Sequence, residues 1–109
     1  YWSLANFLKQ RIGRATAYIA RFENAAAHEA ARRGLDGVIC GHIHHAELRD
    51  IQGVMYCNDG DWVESCTALV ERFDGSLEIL RWTHQRAVVI TREPARLPET
   101  LPLPGWAGL

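Results

Sequence analysis

Gly37-Val38-Ile39-Cys40-Gly41 sets three consecutive apolar side chains between two glycines, the pattern of a short buried strand. What flanks it has two different periods. Upstream, residues 3 to about 33 are helical in pattern, with Ser3 placed as an N-cap and Gly34 as the C′ stop. Ala15, Ile19, Phe22 and Ala26 recur at three- and four-residue spacing and form an apolar stripe, while Arg14, Arg21, His28 and Arg32 fall on the opposite, solvated side. Gly13 is expected to divide this region into a short helix and a longer one. Downstream, Val54-Met55-Tyr56-Cys57 runs into the turn signal Asn58-Asp59-Gly60. Thr67 to Phe73 and Leu77 to Trp82 flank Asp74-Gly75-Ser76 and predict a hairpin, with Asp-Gly favouring a type I′ turn. Helix, buried strand, then hairpins predicts the α/β or α+β class rather than a bundle.

The chain divides into three parts on this reading. Residues 1–34 are a helical segment and residues 35–82 a β core. Residues 83–109 form a proline-rich tail that holds Pro94, Pro98, Pro102 and Pro104. Val88-Val89-Ile90 is a candidate extra strand; beyond it the tail is expected to be extended or disordered.

Charge and composition exclude several classes. Twelve Lys/Arg against thirteen Asp/Glu leave a formal charge of −1, which gives no electrostatic footprint for nucleic acid. No apolar run approaches the roughly 18 residues of a membrane span. The chain opens on Tyr1-Trp2-Ser3, with neither Met nor a signal-peptide pattern, and is expected to be a fragment. Cys40, Cys57 and Cys66 form no CxxC pair; they read as small apolar groups in a reducing, cytoplasmic setting.

The chemistry concentrates in Gly41-His42-Ile43-His44-His45, which packs three histidines directly after an apolar strand. Neutral imidazole is the commonest metal ligand, and the carboxyl end of a strand is where α/β sheets place their sites. Gly41 permits a sharp turn there, so that the His42 and His44 rings can diverge. Other HxH folds need a different context. Ala46 and Glu47 follow His45, where a metallo-β-lactamase-like site needs HxHxDH. Glu47 comes too early for a cupin, and His84 has no second cupin motif around it. No HExxH is present.

Val38 to Glu71, reading VICGHIHHAELRDIQGVMYCNDGDWVESCTALVE, resembles the carboxyl-terminal core of the calcineurin-like metallophosphoesterases, whose last metal motif is GHxH. The run NDGDWVESCTALVE, and the helical start YWSLANFLK, are similar to the branch of UDP-2,3-diacylglucosamine pyrophosphohydrolases. The resemblance covers residues 1 to about 82. It implies the C-terminal part of a four-layered α/β sandwich that holds two divalent ions, often manganese. Such a centre polarises phosphoryl oxygens and generates hydroxide near neutral pH. Carried over, His42 serves one metal and His44 the other, with His42 also beside the substrate, and His45 lies outside the motif as an outer or surface residue. Asn6 and Lys9, three apart on one helix face, correspond to residues that hold the substrate's phosphate or nucleotide; an exposed polar pair is the plainer alternative. The implied substrate is a phosphodiester or a nucleotide-lipid pyrophosphate of lipid A biosynthesis, met at a membrane surface.

The departures from the family are as informative. Its earlier motifs, DxH, GDxxD and GNHD, do not occur, so the chain alone is expected to be inactive. Asn58-Asp59-Gly60-Asp61 follows GHxH and reads as a turn that buttresses the site; Trp62 and Glu64 read as strand-packing residues. The competing class is a non-catalytic module that uses the histidine loop to bind a metal or a partner.

Overall fold

The computed structural model describes residues 2–83 and 86–94. Helix α1 spans Trp2–Arg32, followed by β1 (Gly37–Cys40), β2 (Glu47–Ile51), β3 (Val54–Asn58), β4 (Thr67–Glu71), β5 (Leu77–Thr83) and β6 (Arg86–Glu93). The described residues are mixed α/β: one helix and two three-stranded sheets, ordered β1-β3-β2 and β4-β5-β6. Strand β1 runs parallel to β3, and the other pairings are antiparallel.

The helix is continuous through Gly13, contrary to the expected division. One glycine costs about 1 kcal/mol in a helix interior, too little to interrupt thirty-one residues. Ser3 lies inside the helix rather than capping it. The C-terminal end behaves as expected. Gly34 adopts φ +70°, its N–H donates to Ala31 O at 3.0 Å, and the Leu35 N–H donates to Ala30 O at 3.0 Å. That is a Schellman motif, which a residue without Cβ adopts without strain.

Only the last third of α1 packs on the sheet. Ala27 and Ala30 join Ile51, Val54 and Tyr56 in one apolar cluster, flanked by Ala26, Val38 and Cys40. On the other face of the same sheet, Leu48, Met55 and Cys57 meet Ile79 of the second sheet. Alternate residues of β3 therefore point into different cores, Val54 and Tyr56 toward the helix and Met55 and Cys57 toward the second sheet, which is why all five of its residues are buried. The described residues form three layers (helix, sheet, sheet), where the family resemblance implies four. None of the described helix is long and apolar enough to cross a membrane.

Among the described residues, the strand expected to be buried is at an edge. β1 pairs only with β3 among the described residues, and Ile39 is 67% exposed, while Val38 and Cys40 pack toward the helix. Residues 51–54 form an unanticipated type I′ hairpin, with Gln52 at φ 53° and Gly53 at φ 85°. The hairpin at Asp74-Gly75-Ser76 exists, but its turn is of another type. Gly75 has φ 82°, its N–H donates to Arg72 O at 2.9 Å, and Arg72 N–H donates to Ser76 O. Asp74 keeps negative φ, so this is a three-residue loop with a left-handed glycine, the common alternative to type I′. Val88, Val89 and Ile90 do form part of a strand, and β6 carries the second sheet past residue 82. His84 and the segment from residue 95 onward, with Pro98, Pro102, Pro104 and Trp106, lie outside the described residues.

Candidate functional site

The histidine loop spans residues 41–46, between the parallel strand β1 and the antiparallel strand β2. Its backbone is unusual. His42 has φ 78°, and the Ile43 N–H donates to Gly41 O at 3.0 Å, which closes a three-residue γ-turn of positive φ about His42. His44 also lies in the left-handed region, at φ 53°. Two non-glycine residues at positive φ in one loop are strained, at about 1 kcal/mol or more each. Such strain persists only where the surroundings impose it, and it concentrates at functional sites.

The surroundings that impose it come from the end of β3. Asn58 is completely buried. Its Nδ2 donates to Gly41 O at 3.3 Å and to the Tyr56 hydroxyl at 3.0 Å, and its Oδ1 accepts from the Gly60 N–H at 3.0 Å. The Asp59 N–H donates to Cys40 O at 3.2 Å. A Cβ at position 41 would lie 3.1 Å from an Asp59 carboxylate oxygen, so Gly41 leaves room for that carboxylate against the loop. The turn at residues 58–61 therefore acts as the expected buttress. Farther on, Asp61 accepts backbone N–H bonds from Val63, Glu64 and Ser65. The Glu64 N–H above all, with the Ser65 groups, holds the Asp61 carboxyl down to about 2. Trp62 and Glu64 lie outside the strands and are exposed, Trp62 at 62%, contrary to the expected strand-packing role.

His42 and His44 are exposed, and the His42 ring lies 6.4 Å from that of Phe22, so the helix passes beside the loop at Phe22. Among the described residues no third donor joins these two histidines. A two-ion centre does not fit the described residues alone. Burial, with the Asp59 charge, pushes the Cys40 thiol up, and burial pushes Cys57 up; among the described residues neither thiol joins a group of three metal-ligating donors.

Asn6 and Lys9 are exposed on the part of α1 that projects from the sheet. At about 1.5 Å and 100° per residue they stand roughly 20–24 Å along the helix from Phe22, turned some 140–160° away from its face. The structure does not bring them to His42.

What it does bring together is a group not anticipated from sequence. Glu23 of α1, His45 of the loop and Glu47 of β2 place one ligand atom each within 4.8 Å of one another. One imidazole and two carboxylates in that arrangement are able to hold a metal ion. Glu23 is 3% exposed and ion-paired with Arg49, which raises the Arg49 pKa. His45 Nε2 lies 4.0 Å from Glu47 Oε2. The available signal was Glu23 itself, a carboxylate four residues after Ile19 and three before Ala26, both on the apolar stripe.

Comparison of the chain with protein-family models, with curated proteins and with solved structures found no match to any of them.

Proposed function

We propose that this chain is the C-terminal portion of a metal-dependent phosphoesterase that hydrolyses a phosphodiester or pyrophosphate bond, with His42 and His44 each serving one of two divalent ions, manganese by the family's habit. The observation that carries the reading is the γ-turn at His42. A histidine at φ 78°, in a loop anchored by buried Asn58 directly after a parallel strand, has the kind of strained backbone that concentrates at functional sites. The sequence resemblance supports reading that histidine as a metal ligand. Exposed Ile39 on edge strand β1 is consistent with further sheet, supplied by chain preceding Tyr1 together with the remaining ligands. A nucleotide-lipid such as UDP-2,3-diacylglucosamine is the substrate the branch suggests, and it would be met at a membrane surface by a cytoplasmic enzyme. Asn6 and Lys9 enter this reading as contacts to a part of the substrate distant from the ions.

The test is Mn²⁺ calorimetry and phosphodiester hydrolysis, on this chain and on a longer protein carrying the upstream coding sequence. The expected result is weak binding and no turnover here, with turnover in the longer protein abolished by His42→Ala. Tight two-site binding and turnover by this chain alone would refute the fragment reading.

A second reading, a non-catalytic metal-binding module, is favoured by Glu23, His45 and Glu47. The upstream coding sequence separates the two: DxH and GNHD motifs in frame support the enzyme, and their absence supports the module.

A further inference from the structure

We infer that Glu23, His45 and Glu47 form a structural divalent-metal site of the zinc type, separate from the His42/His44 pair, that clasps helix α1 to the histidine loop and β2. The three donors come from three different elements, so an ion held by all of them is a cross-link between the helix and the sheet. Their ligand atoms already lie within 4.8 Å of one another. Donors around a tetrahedral zinc are about 3.3 Å apart, so small side-chain movements complete the geometry.

Burial and charge fit an ion. Glu23 forms the closed side, with its side chain 5% exposed, while Glu47 at 32% and His45 at 47% form an open side through which an ion and water enter. The Arg49 pair explains how Glu23 is tolerated in the core, but it does not explain why a second carboxylate and an imidazole converge on it. With Arg49 present the two carboxylates still leave one net negative charge, which attracts a divalent cation. The Arg49 guanidinium fixes the Glu23 carboxylate from outside the donor set, as hydrogen-bonded partners of metal-bound carboxylates do. Imidazole with carboxylates favours zinc or cobalt over calcium, which takes oxygen donors alone.

The ion matters because of where the helix is attached. Only its last third packs on the sheet, and there the buried contacts are mainly two alanines with Glu23. A clasp at Glu23 secures that contact and holds Phe22 beside His42.

The test is titration of Zn²⁺ into the metal-free 109-residue chain, followed by calorimetry and thermal melting, with Co²⁺ absorption as an independent readout of an N/O site. The expected result is one ion per chain. The melting midpoint rises by about 10 °C or more at roughly a hundredfold excess over Kd. His45→Ala and Glu47→Gln, both at partly exposed positions, weaken binding by about a hundredfold or more. The His42→Ala/His44→Ala double variant binds as the parent does. Zn²⁺ binding lost in the double variant but kept in His45→Ala would place the ion in the GHIH loop and overturn the inference while favouring the phosphoesterase reading. Absence of binding to the folded parent chain would also overturn it, and would leave the His42/His44 proposal standing.

Discussion

Buried Asn58 donates from Nδ2 to the carbonyl oxygen of Gly41 at 3.3 Å, joining the end of β3 to the start of the histidine loop seventeen residues earlier. That carbonyl also accepts the Ile43 N–H, so one oxygen receives both the bond that shapes the γ-turn and the bond that anchors it. The side chains of His42 and His44 are displayed by a backbone that the core holds still.

Asn58→Ala removes three hydrogen bonds, takes these partners from the Tyr56 hydroxyl and the Gly60 N–H, and leaves the Gly41 carbonyl with the Ile43 N–H. The expected loss in urea unfolding is about 2–3 kcal/mol. A loss below about 0.5 kcal/mol would mean that Asn58 does not anchor the loop.

The strain at His42 is measurable by comparing two substitutions. Glycine adopts φ 78° freely and a β-branched residue does not, so His42→Gly is expected to be more stable than His42→Val by about 1–2 kcal/mol. Equal stabilities would remove the evidence for strain. Whatever their stabilities, both variants lose the imidazole and, in the proposed enzyme, the activity with it.

Two glycines should respond in opposite directions to alanine. At Gly60, φ is 79°, and a Cβ would lie 2.1 Å from Thr67 Oγ1 and 2.9 Å from Ala46 Cβ, so Gly60→Ala is expected to cost about 3 kcal/mol or more. At Gly13 a Cβ meets nothing within 4 Å, and Gly13→Ala should stabilise the chain by about 0.5–1 kcal/mol. Chemical denaturation of the two variants beside the parent checks both signs.

Asp61 supplies a pH prediction. Its carboxyl falls from an ordinary 3.8 to about 2 in the folded chain because its charged form accepts the Glu64 N–H and the Ser65 groups. The folded state thus favours the ionised form. Its stabilising contribution is fully present above about pH 4 and is lost as pH falls toward and through 2. Carboxyl NMR should show Asp61 titrating near 2, and Asp61→Asn should flatten the stability profile between about pH 4 and 2. A midpoint near 4 would show that the loop at 61–65 is not held by this carboxylate.

The helix end at Gly34, the hairpin at residues 72–76 and the histidine loop after Cys40 were all legible because each depends on residues close in sequence. A left-handed glycine, a turn with Asp-Gly and an apolar run between glycines act within a few residues of themselves. The turn type at Gly75 was misjudged because Asp-Gly fits more than one loop, and the pairing of the flanking strands selects among them. The exposure of Ile39 was misjudged for a related reason: an apolar run shows that a strand can be buried, not which of its faces has a neighbour.

By itself, then, the sequence determined where the helix stops, where the strands turn and where three histidines cluster, because backbone preferences and hydrophobic periodicity are local. Only the tertiary structure decided that β3 lies between two cores, that β1 is an edge among the described residues, and that Glu23 meets His45 and Glu47 rather than His42 meeting Asn6 and Lys9. Helical periodicity identifies the face that carries Glu23. It contains no information about what that face packs against, which is set by contacts between residues more than twenty positions apart.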